Sequence, residues 1–219
     1  MVGLSECVVT VADETLHLLP ERAIFWPRTQ TLLIADPHLG KAATFRAHAI
    51  PLPEGNTVAE LQRLGQAIDR TGATKLIILG DLFHTARGRD ETVLNAVATW
   101  RNHYAGLAIY LVRGNHDRHA GDPPPEWRFD VSEGPTPGPY WVLNHEPLEP
   151  AAGYALVGHL HPAVQLTGKG RQALKLPCFW FGPKCGVLPA FGDFIDHGTI
   201  RPKAGDRVFV VTEESVIAV

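Results

Sequence analysis

Cysteine is scarce in this chain, and so are charge excess and long apolar runs. The three cysteines, Cys7, Cys178 and Cys185, are an odd count with no framework spacing. That excludes a disulfide scaffold and suits a reducing cytosol. Cys178 and Cys185 read as ordinary strand residues rather than a redox pair. No apolar run approaches the ~18 residues of a membrane span, so no membrane partner is expected. Met1 to Val11 carries neither a cationic n-region nor a long apolar core. No signal peptide is read there, and the expected location is cytoplasmic. Lys and Arg number 20 against 23 Asp and Glu, a net charge of −3. A broad basic nucleic-acid footprint is excluded, so a DNA or RNA partner has to be gripped locally. No repeat or convincing linker divides the chain, and residues 1–219 read as one domain.

What is present is a series of short apolar runs separated by helical patterns. Cys7–Val11, Thr15–Leu18 and Ala23–Phe25 read as short strands. Leu32 to Ala35 is a continuous apolar run, as in a strand covered on both faces, and Lys75–Leu79 and Ala108–Val112 read as further buried strands. Thr57 with Glu60 suggests a capping box opening a helix over 57–70, with Gly72 at its end. Asp90 suggests the N-cap of a helix carrying Val93, Leu94, Val97 and Trp100. Alternating strands and helices indicate an α/β layered fold. Beyond residue 121 the pattern is short strands and turns, at Gly134–Pro139, Gly168–Gly170 and Lys203–Asp206. A second, mostly antiparallel sheet is expected there, with no obvious helix.

Five polar clusters follow apolar runs: Asp36-Pro37-His38, Gly80-Asp81, Gly114-Asn115-His116-Asp117, Asn144-His145 and Gly158-His159-Leu160-His161. Carboxylate, amide and imidazole gathered at strand ends is the ligand chemistry of a two-metal site. Asp36 and His38, at i and i+2 of an extended segment, point the same way and reach one cation. His159 and His161 share that spacing and serve one metal or two neighbouring ones. Asp81, with two oxygens, can bridge two cations roughly 3.5–4 Å apart. Asn115 offers an amide oxygen. His116 beside Asp117 suggests an imidazole oriented by a carboxylate.

This order of motifs resembles the calcineurin-like metallophosphoesterase superfamily across residues 31–165. The resemblance implies a four-layer α/β-β/α sandwich, two mixed sheets flanked by helices, with the site at strand ends. It implies that Asp36, His38 and His161 hold one metal, that Asn115, His145 and His159 hold the other, and that Asp81 bridges. His116 is then the residue that contacts the scissile phosphate or protonates the leaving oxygen, steadied by Asp117. A narrower similarity rests on Ala35-Asp36-Pro37-His38-Leu39-Gly40-Lys41, Gly80-Asp81-Leu82-Phe83-His84 and Leu188-Pro189-Ala190-Phe191-Gly192. These resemble the small bacterial phosphoesterases encoded beside DNA-repair ligase genes, the PdeM type of manganese-dependent phosphodiesterase and DNA endonuclease. Pro37 departs from the commoner Leu but leaves both ligands intact. The ligand set itself suits Mn, Fe, Co, Ni or Zn; Mn is favoured by the resemblance.

Lys41, Arg46, Arg87 and Arg118, together with Arg89 and Arg113, flank these motifs. They suggest a local cationic rim for a DNA strand. The expected function is a metal-dependent phosphodiesterase, a single-strand DNA endonuclease linked to a repair ligase. The alternative is a phosphatase or phosphodiesterase of a small nucleotide or other phosphate ester. His84 is ambiguous between a supporting and a plain loop role. His17, His48, His103, His197 and the segment Asp193–His197 receive no role.

Overall fold

The structure, a computed structural model, describes residues 4–47, 55–168 and 173–219. His48, and Lys169 and Gly170 of the expected turn, lie outside the described residues. Two mixed sheets pack face to face. The first runs in chain order through β1 (Cys7–Val11), β2 (Glu14–Leu19), β3 (Ala23–Trp26), β4 (Thr31–Ile34), β5 (Lys75–Leu79), β6 (Ala108–Val112) and β7 (Phe129–Ser132). Pairing is antiparallel from β1 to β4 and parallel from β4 to β7. The runs of β4 and β5 are buried on both faces, as expected; β6 is not, since Ala108 and Tyr110 on one face are exposed. Leu32, Ile34, Leu76 and Ile78 face the helices, while Leu33, Ile77 and Leu79 face the second sheet. That alternation is the pleat of a strand with no wet side.

The helices are α1 (Lys41–Ala47), α2 (Asn56–Thr71), α3 (Glu91–His103) and the single turn α4 (Asp117–Ala120). Helix α2 buries Leu61, Leu64 and Ile68 against the first sheet. It ends at Gly72, whose φ is +65° and whose N–H reaches the Ile68 carbonyl. The expected capping box does not form. Gly55 is the N-cap, Thr57 Oγ1 faces the Gly40 N–H at 3.4 Å, and Glu60 is buried. Its carboxyl turns inward, accepting from Asn56 Nδ2 and from the Asp193 N–H instead of reaching back to the helix start. Helix α3 is capped as expected, Asp90 accepting from the Val93 N–H at 2.8 Å.

The second sheet contains β8 (Thr136–Pro137), β9 (Trp141–Leu143), β10 (Tyr154–Val157), β11 (Pro162–Thr167), β12 (Ala173–Phe181), β13 (Cys185–Val187), β14 (Gly198–Thr199), β15 (Arg207–Val211) and β16 (Val216–Ala218). It is mixed: β9, β10 and β13 run parallel, with mainly antiparallel pairing around them. Its inner face joins the first sheet through Leu156, Phe179, Phe181, Leu188 and Phe209, packed with Leu33 and Ile77. Each such buried side chain contributes about 1.5–3 kcal/mol. Among the described residues the outer face of this sheet is covered by loops, with Leu148 and Ile200 packed on it. Cys178 and Cys185 are free strand residues. No helix among the described residues is long and apolar enough to cross a membrane.

Candidate metal centre

Strand direction assembles the site. The segments leaving the carboxyl ends of parallel β4, β5 and β6 meet those leaving parallel β9 and β10. Backbone hydrogen bonds hold these exits side by side. Asp36 N donates to Gly80 O at 3.2 Å, His38 N to Asp81 O at 2.9 Å, and Gly158 N to His145 O at 3.0 Å. The two sheets are stitched together at Asp36, where Phe191 N donates to Ala35 O at 2.7 Å and His159 N to Asp36 Oδ2 at 2.9 Å.

The main chain here is strained. Asp36, His38, Asp81, His159 and His161 all have φ between +45° and +70°. Side chains other than glycine rarely adopt that region, and such residues gather at functional sites. Asp36 and His38 therefore converge through left-handed turns, not through the extended segment expected from their spacing. Glycine permits the close approach. A Cβ on Gly80, at φ +82°, would stand 2.2 Å from His145 Nδ1, and one on Gly114 would stand 2.1 Å from Asp81 Oδ1.

All seven expected ligands come together. Asp36, His38 and His161 offer atoms within 4.8 Å of one another, as do Asp36, Asp81 and His145. His38 Nε2 and His161 Nε2 are 3.4 Å apart. On the other side His145 Nε2 lies 2.9 Å from Asn115 Oδ1 and 3.1 Å from His159 Nδ1. The open question about His159 and His161 resolves: they turn to opposite sides. Asp81 Oδ2 stands between, 3.6 Å from His38 Nε2 and 3.4 Å from His145 Nε2.

These atoms fit divalent cations. His145 donates its Nδ1–H to Leu79 O and His161 its Nδ1–H to Asp196 O, which leaves both Nε2 atoms as lone pairs aimed inward. Asp36 is fully buried, and its Oδ1 has no hydrogen-bond partner. Burial, then the neighbouring His116 imidazole, hold His38 well below the ordinary histidine range, as a neutral ligand. Burial, with Asp36 repelling it, also holds Asp81 above the ordinary carboxylate range, against the pull of His145. Acceptors and carboxylates crowded without an intervening donor are what cations satisfy.

His116 lies at the mouth, its side chain 34% exposed. It donates Nδ1–H to the His84 carbonyl at 2.6 Å, so Nε2 faces the site, 4.0 Å from Asp81 Oδ2. His84 stacks on it with ring centroids 5.1 Å apart; only Gly-Asp with a histidine three residues on hinted at this. Burial, then Lys41, lower His84 to about 4. Asp117 does not meet the His116 ring. Its carboxylate takes the N–H groups of Asp81 at 2.8 Å, Gly114 at 2.9 Å and Leu82 at 2.9 Å. The expectation that it steadies the imidazole is corrected: it ties the β5 and β6 exits together, because its side chain points back into the loop. Burial raises it to about 6 against the opposing pull of those N–H groups.

The rim is mixed. Arg118 lines a cleft of about 170 Å³ beside Asn115 and His145. Lys41 is partly buried over the Phe45 ring, and Arg87 is exposed in the turn after Phe83. Arg46 lines a separate cleft with Asp90 and the start of α2. Arg113 is held by Asp122 and Glu133, and Arg89 donates to the Ala120 carbonyl. Those two arginines serve the fold. A cavity of about 900 Å³ between α2 and α3 includes none of the ligand residues.

The calcineurin-like phosphoesterase family model matches residues 29–184. The chain belongs to the calcineurin-like phosphoesterase family. It is 34% identical to the Pseudomonas putida nuclease MPE, whose crystal structure superposes with a TM-score of 0.87 over 98% of this chain and 100% of that one. The phosphoesterase Yfce from E. coli is more distant, 17% identical with a TM-score of 0.42 over 86% of this chain and 96% of that one. No curated protein matches the chain. As a calcineurin-like phosphoesterase it is a metal-dependent phosphoesterase, and the side chains assembled above are its candidate metal-binding groups.

Proposed function

We propose that this chain, acting as one domain over residues 1–219, is a dinuclear phosphodiesterase that cuts single-stranded DNA in the cytoplasm. The observation that carries the reading is Asp81 Oδ2 standing between two inward-facing imidazole sets, with His38 on one side and His145 on the other. Asp36, His38, Asp81 and His161 would hold one cation, and Asp81, Asn115, His145 and His159 the other. The similarity to a nuclease supports a nucleic-acid substrate. The PdeM-type motifs support manganese and a working link to a DNA-repair ligase.

Two bound divalent cations supply charge neutralisation at the phosphate oxygens and acidity at a water molecule. The protein does the rest. Asp36, His38, Asp81 and His145 are each at most 2% exposed, so the scissile phosphate has to enter deeply. A flexible strand reaches such a floor more easily than a stiff duplex, whose bending costs energy. His116, with Nε2 directed inward from the mouth, contacts the phosphate or gives a proton to the leaving oxygen. Arg118 and Lys41 border the strand's path, with Arg87 further out.

The test is digestion of circular single-stranded and supercoiled duplex DNA by metal-stripped protein, with and without added Mn²⁺. Cleavage restored by Mn²⁺ and faster on the single strand is expected. Full activity after chelation overturns the metal requirement. Rapid hydrolysis of a small phosphomonoester with neither DNA cut moves the reading to a small phosphate ester.

A further inference from the structure

The segment after Gly192 is pinned by charges no catalytic step uses. The Asp193 carboxylate takes Arg22 Nη1 at 3.0 Å and Arg63 Nη1 at 3.0 Å, all three side chains about three-quarters buried. The same guanidiniums hold the main chain: Arg22 Nη1 donates to Gly192 O at 2.9 Å, and Arg63 Nη2 to Phe191 O at 2.5 Å. Arg63 also lies over the Phe191 ring, 4.7 Å from its centre. The Asp193 N–H donates to the buried Glu60 at 2.8 Å. Arg22 comes from the β2–β3 turn, while Glu60 and Arg63 come from α2. Two distant elements thus converge on one loop.

That loop touches one half of the metal centre. At its start, Gly192 N donates to Asp36 O at 3.2 Å. Further on, the Asp196 carbonyl takes the His161 Nδ1–H at 3.1 Å, and Gly198 N donates to His161 O at 3.0 Å. Among the described residues it makes no hydrogen bond to Asn115, His145 or His159. A carbonyl on the second ring nitrogen sets a ligating imidazole's tautomer and orientation. Burying two guanidiniums and a carboxylate is a poor way to gain stability, so a role in geometry accounts for the cluster better.

We propose that Arg22, Arg63 and Asp193 are positioning residues that set cation affinity on the Asp36–His38–His161 side alone, through the Asp196 carbonyl. This rests on the dinuclear reading of the site. The experiment is calorimetric Mn²⁺ titration of the metal-stripped protein, with Asp193→Asn and the milder Arg63→Lys, which keeps the charge but loses the fork. Melting in chelator checks that each variant folds. One of the two binding steps is expected to weaken about 10–100-fold, the other to change less than threefold. His161→Ala identifies the affected step. Asp193→Asn added to His161→Ala should weaken that step no further, since both act through one imidazole. Equal weakening of both steps, no weakening in either variant, or full additivity with His161→Ala overturns the proposal. If the wild type itself takes up fewer than two Mn²⁺, the dinuclear reading fails first, and the failure shows before any variant is made.

Discussion

The floor of the site and its rim are built on opposite principles. Floor residues leave five strand ends; Asp36, His38, Asp81, His159 and His161 sit in left-handed turns, and Asp36, His38, Asp81 and His145 are buried almost completely. Two of the imidazoles have their second nitrogen assigned to a backbone carbonyl, His145 to Leu79 and His161 to Asp196. Rim residues are long cations on loops and helices, and several are already engaged, Arg113 by two carboxylates and Arg89 by a carbonyl. The floor is specified by geometry. The rim supplies little beyond local charge, so substitutions in the two regions should differ by orders of magnitude.

Asp81→Ala tests the floor most severely. On the proposed dinuclear reading, in which Asp81 serves both cations, its loss should lower DNA cleavage by more than about 10⁴-fold, since each cation would contribute several kcal/mol to the transition state. Metal content, read by elemental analysis, should fall from two to one or none. Two retained metals with near-normal turnover would remove Asp81 from its bridging place.

His116→Ala sits where floor meets rim. Cleavage of DNA should slow by about 10²–10⁴-fold, with metal content unchanged. The nitrophenolate of a nitrophenyl diester departs without protonation, so that hydrolysis should suffer less. Equal losses on both substrates assign His116 to phosphate contact instead.

Asp117→Ala separates holding the floor from doing chemistry. Three buried N–H groups lose their acceptor, at about 1–3 kcal/mol each. Melting in chelator should fall by at least roughly 6 °C, taking the low end of about 3 kcal/mol in all and about 2–4 °C per kcal/mol at this size. A variant that melts normally yet loses activity as severely as His116→Ala would restore a direct role for Asp117.

The rim should respond least. Arg118→Ala and Arg87→Ala should each raise KM modestly and reduce the salt slope of single-strand binding by about 0.7 per lost contact. Arg113→Ala should leave that slope unchanged, because Asp122 at 2.5 Å and Glu133 at 2.6 Å already hold it, whereas Arg118 is mostly exposed and meets Glu133 only at 3.7 Å. A larger slope change for Arg113 than for Arg118 would reverse the ranking within the rim.

Legibility followed the same division. The candidate metal-binding groups were readable because each is a short polar cluster after an apolar run, and a run such as Leu32 to Ile34 shows two-sided burial in its composition alone. The capping box failed because Thr57 and Glu60 have the right local spacing, while Asp193, 133 residues away, claims the carboxyl. The clamp of Arg22, Arg63 and Asp193 was invisible for the same reason. An arginine on an amphipathic helix looks solvent-facing until a remote loop meets it. His84 gave a weak signal, its distance from Asp81, and its stacking on His116 depends on how two loops lie together.

By itself the sequence determined the layered α/β class, the candidate donor set and the family, because strand periodicity and donor chemistry are local properties. Tertiary structure alone decided which imidazole joins which set, that Asp117 ties loops together rather than steadying His116, and which rim arginines are already spent. Those are contacts between segments far apart in sequence. Their geometry is set by packing two sheets through one shared core, and no local pattern encodes it.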